Sequence, residues 1–418
     1  MTDQRFPGFS LAERDRRWTL ACTIMEAEGV GALIAYGEHE CTDPAPFAPD
    51  VYFSNDRPGA IVVFVRDAEP VSLVWSTMSV CDHATSSERG DAVWIRPENM
   101  RVGKSAAGIV EVLREHGLES GPVGVLGLEP YPPWHIFDPV MSYPMWASVR
   151  EQLPEATFKP LQLSYYMSTV GLSDEEQACV RYAASVGDEM AKAMLAEARP
   201  GATEGDLCAA AMAAALRRGC HAPKPLMFTG PGFAAYGPPP WAYRPQPPRV
   251  LRDGDVVITE VFNKYAMYES QSQVAIAIGE VHPDILEAEG VARAAYEAGL
   301  AAARPGSAFG DVIDAMTAPV RASRGWQIHP MAHGMNPYGM VGGFGSDLAE
   351  RWPAAERYGK LAVVPTVAPQ LPLTPGMSFS FEPSCVIDGK VCNIGGTVLI
   401  GEDGPIELNA YTARILHA

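Results

Sequence analysis

Along the first 160 or so residues, apolar runs of strand length alternate with stretches whose apolar residues recur at helical spacing. A helical pattern over about 11–29 leads into the apolar strand GALIAYG from Gly31. Further strands are expected at GAIVVFV from Gly59, VSLVWS from Val71, AVWIRP from Ala92 and VGVLGL from Val123, with a helix over about 105–116. This alternation predicts a mixed sheet with helices on its faces. A second domain begins before Leu172, where Ser173 with Glu175 and Glu176 reads as a helix N-cap carrying acids in its first turn; the amphipathic helix runs to about Ala198.

The second domain repeats itself. ARPGATEGDLCAAA from Ala198 recurs as ARPGSAFGDVIDAM from Ala303, a Pro-Gly break followed by a Thr or Ser and a downstream Asp that open the next helix. Each copy leads to a strand that ends in glutamate six residues after a glycine: 254–260 (GDVVITE) and 376–382 (GMSFSFE). Two acids carried by equivalent strands of a duplicated scaffold point to one shared site, at Glu260 and Glu382. After Glu260 the chain turns at Asn263 and Lys264 and returns as YESQSQVAIAIGE, so the two-residue strand period puts Glu269, Gln271 and Gln273 on one face, with Gln271 near Glu260. A glycine-rich loop from His329 supplies His333 as a general acid or base. The segment from Met227, with its prolines, Trp241 and Tyr243, reads as a stiff loop and a candidate substrate wall.

Composition narrows the partners. The 418 residues carry 32 basic and 50 acidic side chains, a net charge of −18, which disfavours nucleic acid and anionic membrane. Eight scattered cysteines without a CxxC pair read as reduced thiols, and Cys385 and Cys392 as buried spectators. No signal-like start or membrane-length apolar run is read, so the expectation is a cytoplasmic protein. Neither a dinucleotide turn nor a phosphate-binding loop occurs.

With those residues in hand, the order GDVV…E…YESQSQ, AHGM, PGMSFSFEP and GTVLIGEDG from about Leu172 onward resembles the pita-bread superfamily of creatinase, aminopeptidase P (prolidase-like) and methionine aminopeptidase, and the first domain is similar to the one that creatinase and prolidase types carry. The resemblance implies an α+β protein: an N-terminal creatinase-like αβ domain over 1–165 and a pseudo-two-fold pita-bread catalytic domain over 172–418. Peptidase members bind two metal ions through two Asp, a His and two Glu. Matched motif by motif, this chain has Glu260, Gln271, Pro337, Glu382 and Gly395 at those positions, so two acids remain of five ligands. A dinuclear site needs bridging carboxylates to balance its charge, and the expectation is no metal and no cofactor.

What remains is similar to creatinase and ectoine hydrolase and implies a metal-independent hydrolase that cleaves a C–N bond of a small zwitterionic or amino-acid-like substrate by acid-base chemistry. The creatinase match is itself incomplete, since Tyr243 and Gln273 stand where its catalytic His and second acid fall. The catalytic candidates are Glu260, Glu382 and His333, with Glu382 taken as base and Glu260 as acid, or the reverse. Gln271, Gln273, Tyr243, Trp241 and Arg57 are the substrate-binding candidates. On the creatinase pattern Arg57 reaches the partner's site in a homodimer. The alternatives are a metallopeptidase with one ion on Glu260, His333, Glu382 and Glu269, a small-molecule lyase, and a non-catalytic binding member.

Overall fold

The computed structural model describes residues 6–38, 48–128, 139–232, 237–328, 330–343, 357 and 365–418, with backbone alone at 338–340. The chain divides into two compact units, Gly8–Val170 and Gly171–Ala418, the second also taking Phe6 and Pro7.

The first unit is built on a six-stranded mixed sheet. Its strands are β1 (Ala32–Tyr36), β2 (Ile61–Val65), β3 (Val71–Val74), β4 (Met100–Val102), β5 (Pro122–Leu126) and β6 (Thr157–Pro160), in the order β4-β3-β2-β1-β5-β6. Strand β1 runs antiparallel to β2 and parallel to β5. The helices are α1 (Leu11–Glu28), α2 (Pro49–Ser54), α3 (Thr77–Arg89), α4 (Ala106–Glu115), α5 (Tyr143–Gln152) and α6 (Gln162–Thr169). Alternate strand residues serve opposite faces: Ile34, Val63 and Val125 pack with Ile109, Leu113 and Val149 of α4 and α5, while Phe64 meets Phe53 of α2 edge-on. One expected strand is absent. AVWIRP is irregular, although Trp94 and Ile95 are buried, and pairing resumes only at β4, beyond a 3-10 turn begun by Pro97, which has no N–H to give a ladder.

In the second unit, helices α7 (Asp174–Glu197) and α8 (Glu204–Arg217) precede β7 (Leu226–Gly230), β8 (Val256–Tyr265) and β9 (Tyr268–Ala277). Helices α9 (Pro283–Ala302) and α10 (Phe309–Ala322) precede β10 (Ala332–Met335), β11 (Tyr338–Gly343), β12 (Ser378–Phe381), β13 (Ser384–Ile387), β14 (Lys390–Asn393) and β15 (Gly395–Ile400). The repeated order of helix pair, then strands, is the internal duplication. The long strands join in one sheet, β11-β10-β12-β15-β9-β8-β7, and β13 with β14 forms a separate hairpin.

Ser173 and Glu176 form a reciprocal capping box on α7, as Thr203 and Asp206 do on α8. The second repeat differs: its helix α10 is capped by Ala308, with no side-chain bond. The loop expected from Met227 also begins differently, because Leu226–Gly230 pairs with β8, Leu226 lying opposite Glu260. Phe233 and Tyr236, which belong to that expected loop, lie outside the described residues.

Candidate functional site

Glu260 points from β8 and Glu382 follows directly on β12. Both are buried, as are Gln271 and Gln273 on β9. Register does the assembly: Gln273 is opposite Glu260 on one side and Gly395 on the other, and β15 then pairs with β12. The two glutamines therefore reach both acids. Gln271 Nε2 donates to Glu260 Oε1 and, at 2.7 Å, to Glu382 Oε2. Gln273 Nε2 donates to the same two oxygens, each at 2.8 Å.

His333 completes the cluster from a strand, not from the loop that its glycine neighbours suggest. It sits on β10 opposite Ser380 of β12. Its Nδ1 is 2.9 Å from the Gly334 carbonyl, which can only accept, so Nδ1 carries the proton and Nε2, 3.3 Å from Glu382 Oε1, presents its lone pair to the acid in the neutral ring.

Burial raises the pKa of both carboxyls, because a charged carboxylate is poorly solvated there. Glu382 rises well above the ordinary range: the neighbouring Glu260 charge opposes a second anion, and Glu382 donates a hydrogen bond to Glu260. Hydrogen bonds from Glu382 and Gln273 partly offset the rise at Glu260. Two like charges this close oppose double ionisation, so the carboxyls form a proton-sharing pair.

The other candidates make contacts of their own. Trp241 donates its indole N–H to Glu204 at 2.8 Å, within a network that also joins Thr229 and Arg249 to Glu204, so it anchors its loop. Tyr243 is 76% exposed. Arg57 belongs to the first unit, where it pairs with Asp82 at 2.6 Å. Glu269, a ligand in the one-ion alternative, is 3.5 Å from Lys264 and is not among the clustered acids. Cys385 and Cys392 are buried free thiols, and burial pushes Cys385 up to about 12. Sequence reasoning passed over Asn393, whose Nδ2 donates to Gln273 Oε1 at 2.9 Å. A single asparagine at the junction of two strands gives no pattern by which to find it.

The donor set decides which metal site is possible. Glu260, His333 and Glu382 bring ligand atoms within 4.8 Å of one another. A two-ion cage does not fit the remaining positions. Gln271 and Gln273 direct N–H groups, positive ends, at the oxygens that a cation would need. At Gly395, φ is +125° and a Cβ would stand 2.0 Å from the Phe381 carbonyl oxygen, so no acid side chain is accommodated on this backbone.

Three comparisons bear on the fold. Residues 178–402, more than half of the chain, match the profile of metallopeptidase family M24. The probable dipeptidase PepE of Mycobacterium tuberculosis is 28% identical over 221 residues, a match covering half of each chain; this chain thus spans about half the length of the curated relatives it matches. Among solved structures, dipeptidase PepE from Mycobacterium ulcerans superposes with a TM-score of 0.70 at 18% identity, over 98% of this chain and 99% of that one. The X-Pro aminopeptidase from Thermotoga maritima gives 0.69 at 14%, over 95% and 100%. The likeness to these structures shows the pita-bread fold. No described helix is long and apolar enough to cross a membrane.

Proposed function

From the premise that the chain belongs to metallopeptidase family M24, we propose that it hydrolyses the C–N bond of a short peptide or amide, with Glu260 and Glu382 as base and acid and no metal in the reaction. The observation that carries this reading is the buried carboxyl pair with both glutamine amides on it. Names of relatives, dipeptidase and X-Pro aminopeptidase, support a dipeptide-sized substrate. The small zwitterionic compound expected from the sequence has the same charges.

In the proposed step, Glu260 takes a proton from water as its oxygen attacks the carbonyl carbon. The C–N bond breaks, and the Glu382 proton passes to the leaving nitrogen. An acid and an amine leave; the proton gained by Glu260 returns to Glu382 through their shared hydrogen bond, with His333 Nε2 as a second route. Gln271 Oε1 is buried without a hydrogen-bond partner among the described residues and is suited to accept a substrate N–H.

The reading extends to a cytoplasmic homodimer. Free thiols at Cys179, Cys208 and Cys220 support a reducing compartment, and the partner's contribution rests on the resemblance alone.

A second reading, a peptidase using one metal ion, is favoured by the three clustered donors Glu260, His333 and Glu382 and by the family. Conservative replacement tests the main reading. Glu260→Gln and Glu382→Gln, assayed on dipeptides, Xaa-Pro peptides and creatine-like amides, are each expected to lose about 10²–10⁴-fold in kcat; normal turnover in both overturns it.

A further inference from the structure

The amide of Gln273 has two orientations of nearly equal shape and opposite polarity. With its nitrogen inward it gives N–H donors to the carboxyl pair; with its oxygen inward it adds a fourth ligand atom to two acids and an imidazole, a set suited to a divalent cation. What selects the orientation lies outside the pair.

Asn393, at the end of β14 and buried, donates Nδ2–H to Gln273 Oε1 at 2.9 Å. That bond holds the oxygen outward and sends Nε2 to Glu260 Oε1 and Glu382 Oε2. Strand β14 is outside the main sheet, in the β13–β14 hairpin, where Cys392 pairs with Cys385 and Asn393 with Ser384. Gln273 is also in register with Gly395, two residues after Asn393, so the hairpin and the sheet meet on this side chain.

We propose that Asn393 is a positioning residue that acts through Gln273: by fixing the amide nitrogen inward, it keeps the carboxyl pair supplied with N–H donors and closed to a divalent cation. The inference rests on the acid-pair reading and deepens it. A donor at position 393 is what the arrangement needs. A carboxylate there, which only accepts, draws Nε2 outward and turns the carbonyl oxygen onto the acids.

The test compares wild type with Asn393→Asp, both as the full chain, using manganese(II) alone as the probe in calorimetry. The side-chain amide resonance of Gln273 is followed by NMR. Wild type is expected to take up no manganese and to show a Gln273 amide shifted by its two carboxyl partners. N393D is expected to bind manganese at least tenfold more tightly than the detection limit set by wild type, and to lose that amide signature. The gain must vanish when N393D is combined with Gln273→Met, which has no amide to turn.

If N393D keeps the wild-type resonance and manganese response, the positioning role is overturned while the acid-pair reading stands. A gain that persists with Gln273→Met overturns it as well, since the new carboxylate then acts by itself. Tight stoichiometric binding by wild type defeats the acid-pair reading instead. Should N393D fail to fold, Asn393→Leu removes the donor without adding charge, and an unchanged Gln273 resonance in that variant counts against the proposal.

Discussion

The amide nitrogen of Gln273 lies 2.8 Å from Oε2 of Glu382, and from its other side the same amide accepts a hydrogen bond from Asn393. A neutral donor thus touches both acids. The energetic consequence is direct. On the proposed metal-free reading, two buried carboxylates cannot both ionise at low cost, so one proton stays on the pair.

That retained proton predicts the pH profile. Because Glu382 titrates well above the usual carboxylate range through burial and the Glu260 charge, kcat/KM is expected to fall on the alkaline side as Glu382 loses its proton. Burial also raises Glu260, so activity falls on the acid side, with a midpoint above 4.5, as the base becomes protonated. A pH–rate profile checks both limbs. A rate that is flat from mildly acid to alkaline pH contradicts the assignment.

The first unit carries an independent titration. Asp50 on α2 is fully buried; its Oδ2 accepts from the Gly59 and Ala60 N–H groups, while Oδ1 has no hydrogen-bond partner among the described residues. Burial pushes its pKa up to about 6 from 3.8. The folded group therefore holds its proton where the unfolded one has released it, and stability is expected to fall as pH rises from 3.8 through about 6, levelling beyond, with a total loss on the order of 3 kcal/mol. Denaturant titrations of wild type and Asp50→Asn across that range are the check. The variant should lack this slope.

Gly395 predicts why the lost ligand is not restored by a single change. Its φ of +125° and the Phe381 oxygen 2.0 Å from a built Cβ make both the conformation and the space hostile to a side chain. Gly395→Ala is expected to cost at least about 2 kcal/mol, measured by chemical denaturation. Gly395→Glu should be destabilised at least as much and gain no metal.

Much of the site was legible because strand periodicity and an internal repeat are strong signals. The matched segments ending at Glu260 and Glu382, the hairpin that returns Gln271 and Gln273 to Glu260, and the Ser173 cap all follow from spacing. The hairpin turns, however, at Ala266 and Met267, both at positive φ, and not at Asn263 and Lys264, which are strand residues paired with Ser270 and Glu269. Where apolar content and pairing part company, the reading failed: AVWIRP buries Trp94 without joining a ladder, and Leu226–Gly230 is a strand although Pro and Gly crowd the residues after it. His333 looked like a loop residue because Gly, Met, Asn and Pro follow it, yet its neighbours β11 and β12 hold that segment extended. Asn393 and Asp50 left no trace, since the importance of each comes from a partner distant in sequence or from burial alone. Trp241 shows the converse: an aromatic in a proline-rich loop suggested a substrate wall, and a buried carboxylate, Glu204, claims its N–H.

The central claim is that two carboxyls with glutamine donors replace the metal ions of the family. Its most direct test is the turnover of purified protein stripped with chelator, with residual metal quantified in the assayed sample, on the best substrate from the peptide and amide panel. The account predicts undiminished turnover with far less than one metal ion per chain and no gain when manganese or zinc is added back. Turnover abolished by chelation and restored by one equivalent of a divalent ion would contradict it and establish the one-metal peptidase on Glu260, His333 and Glu382.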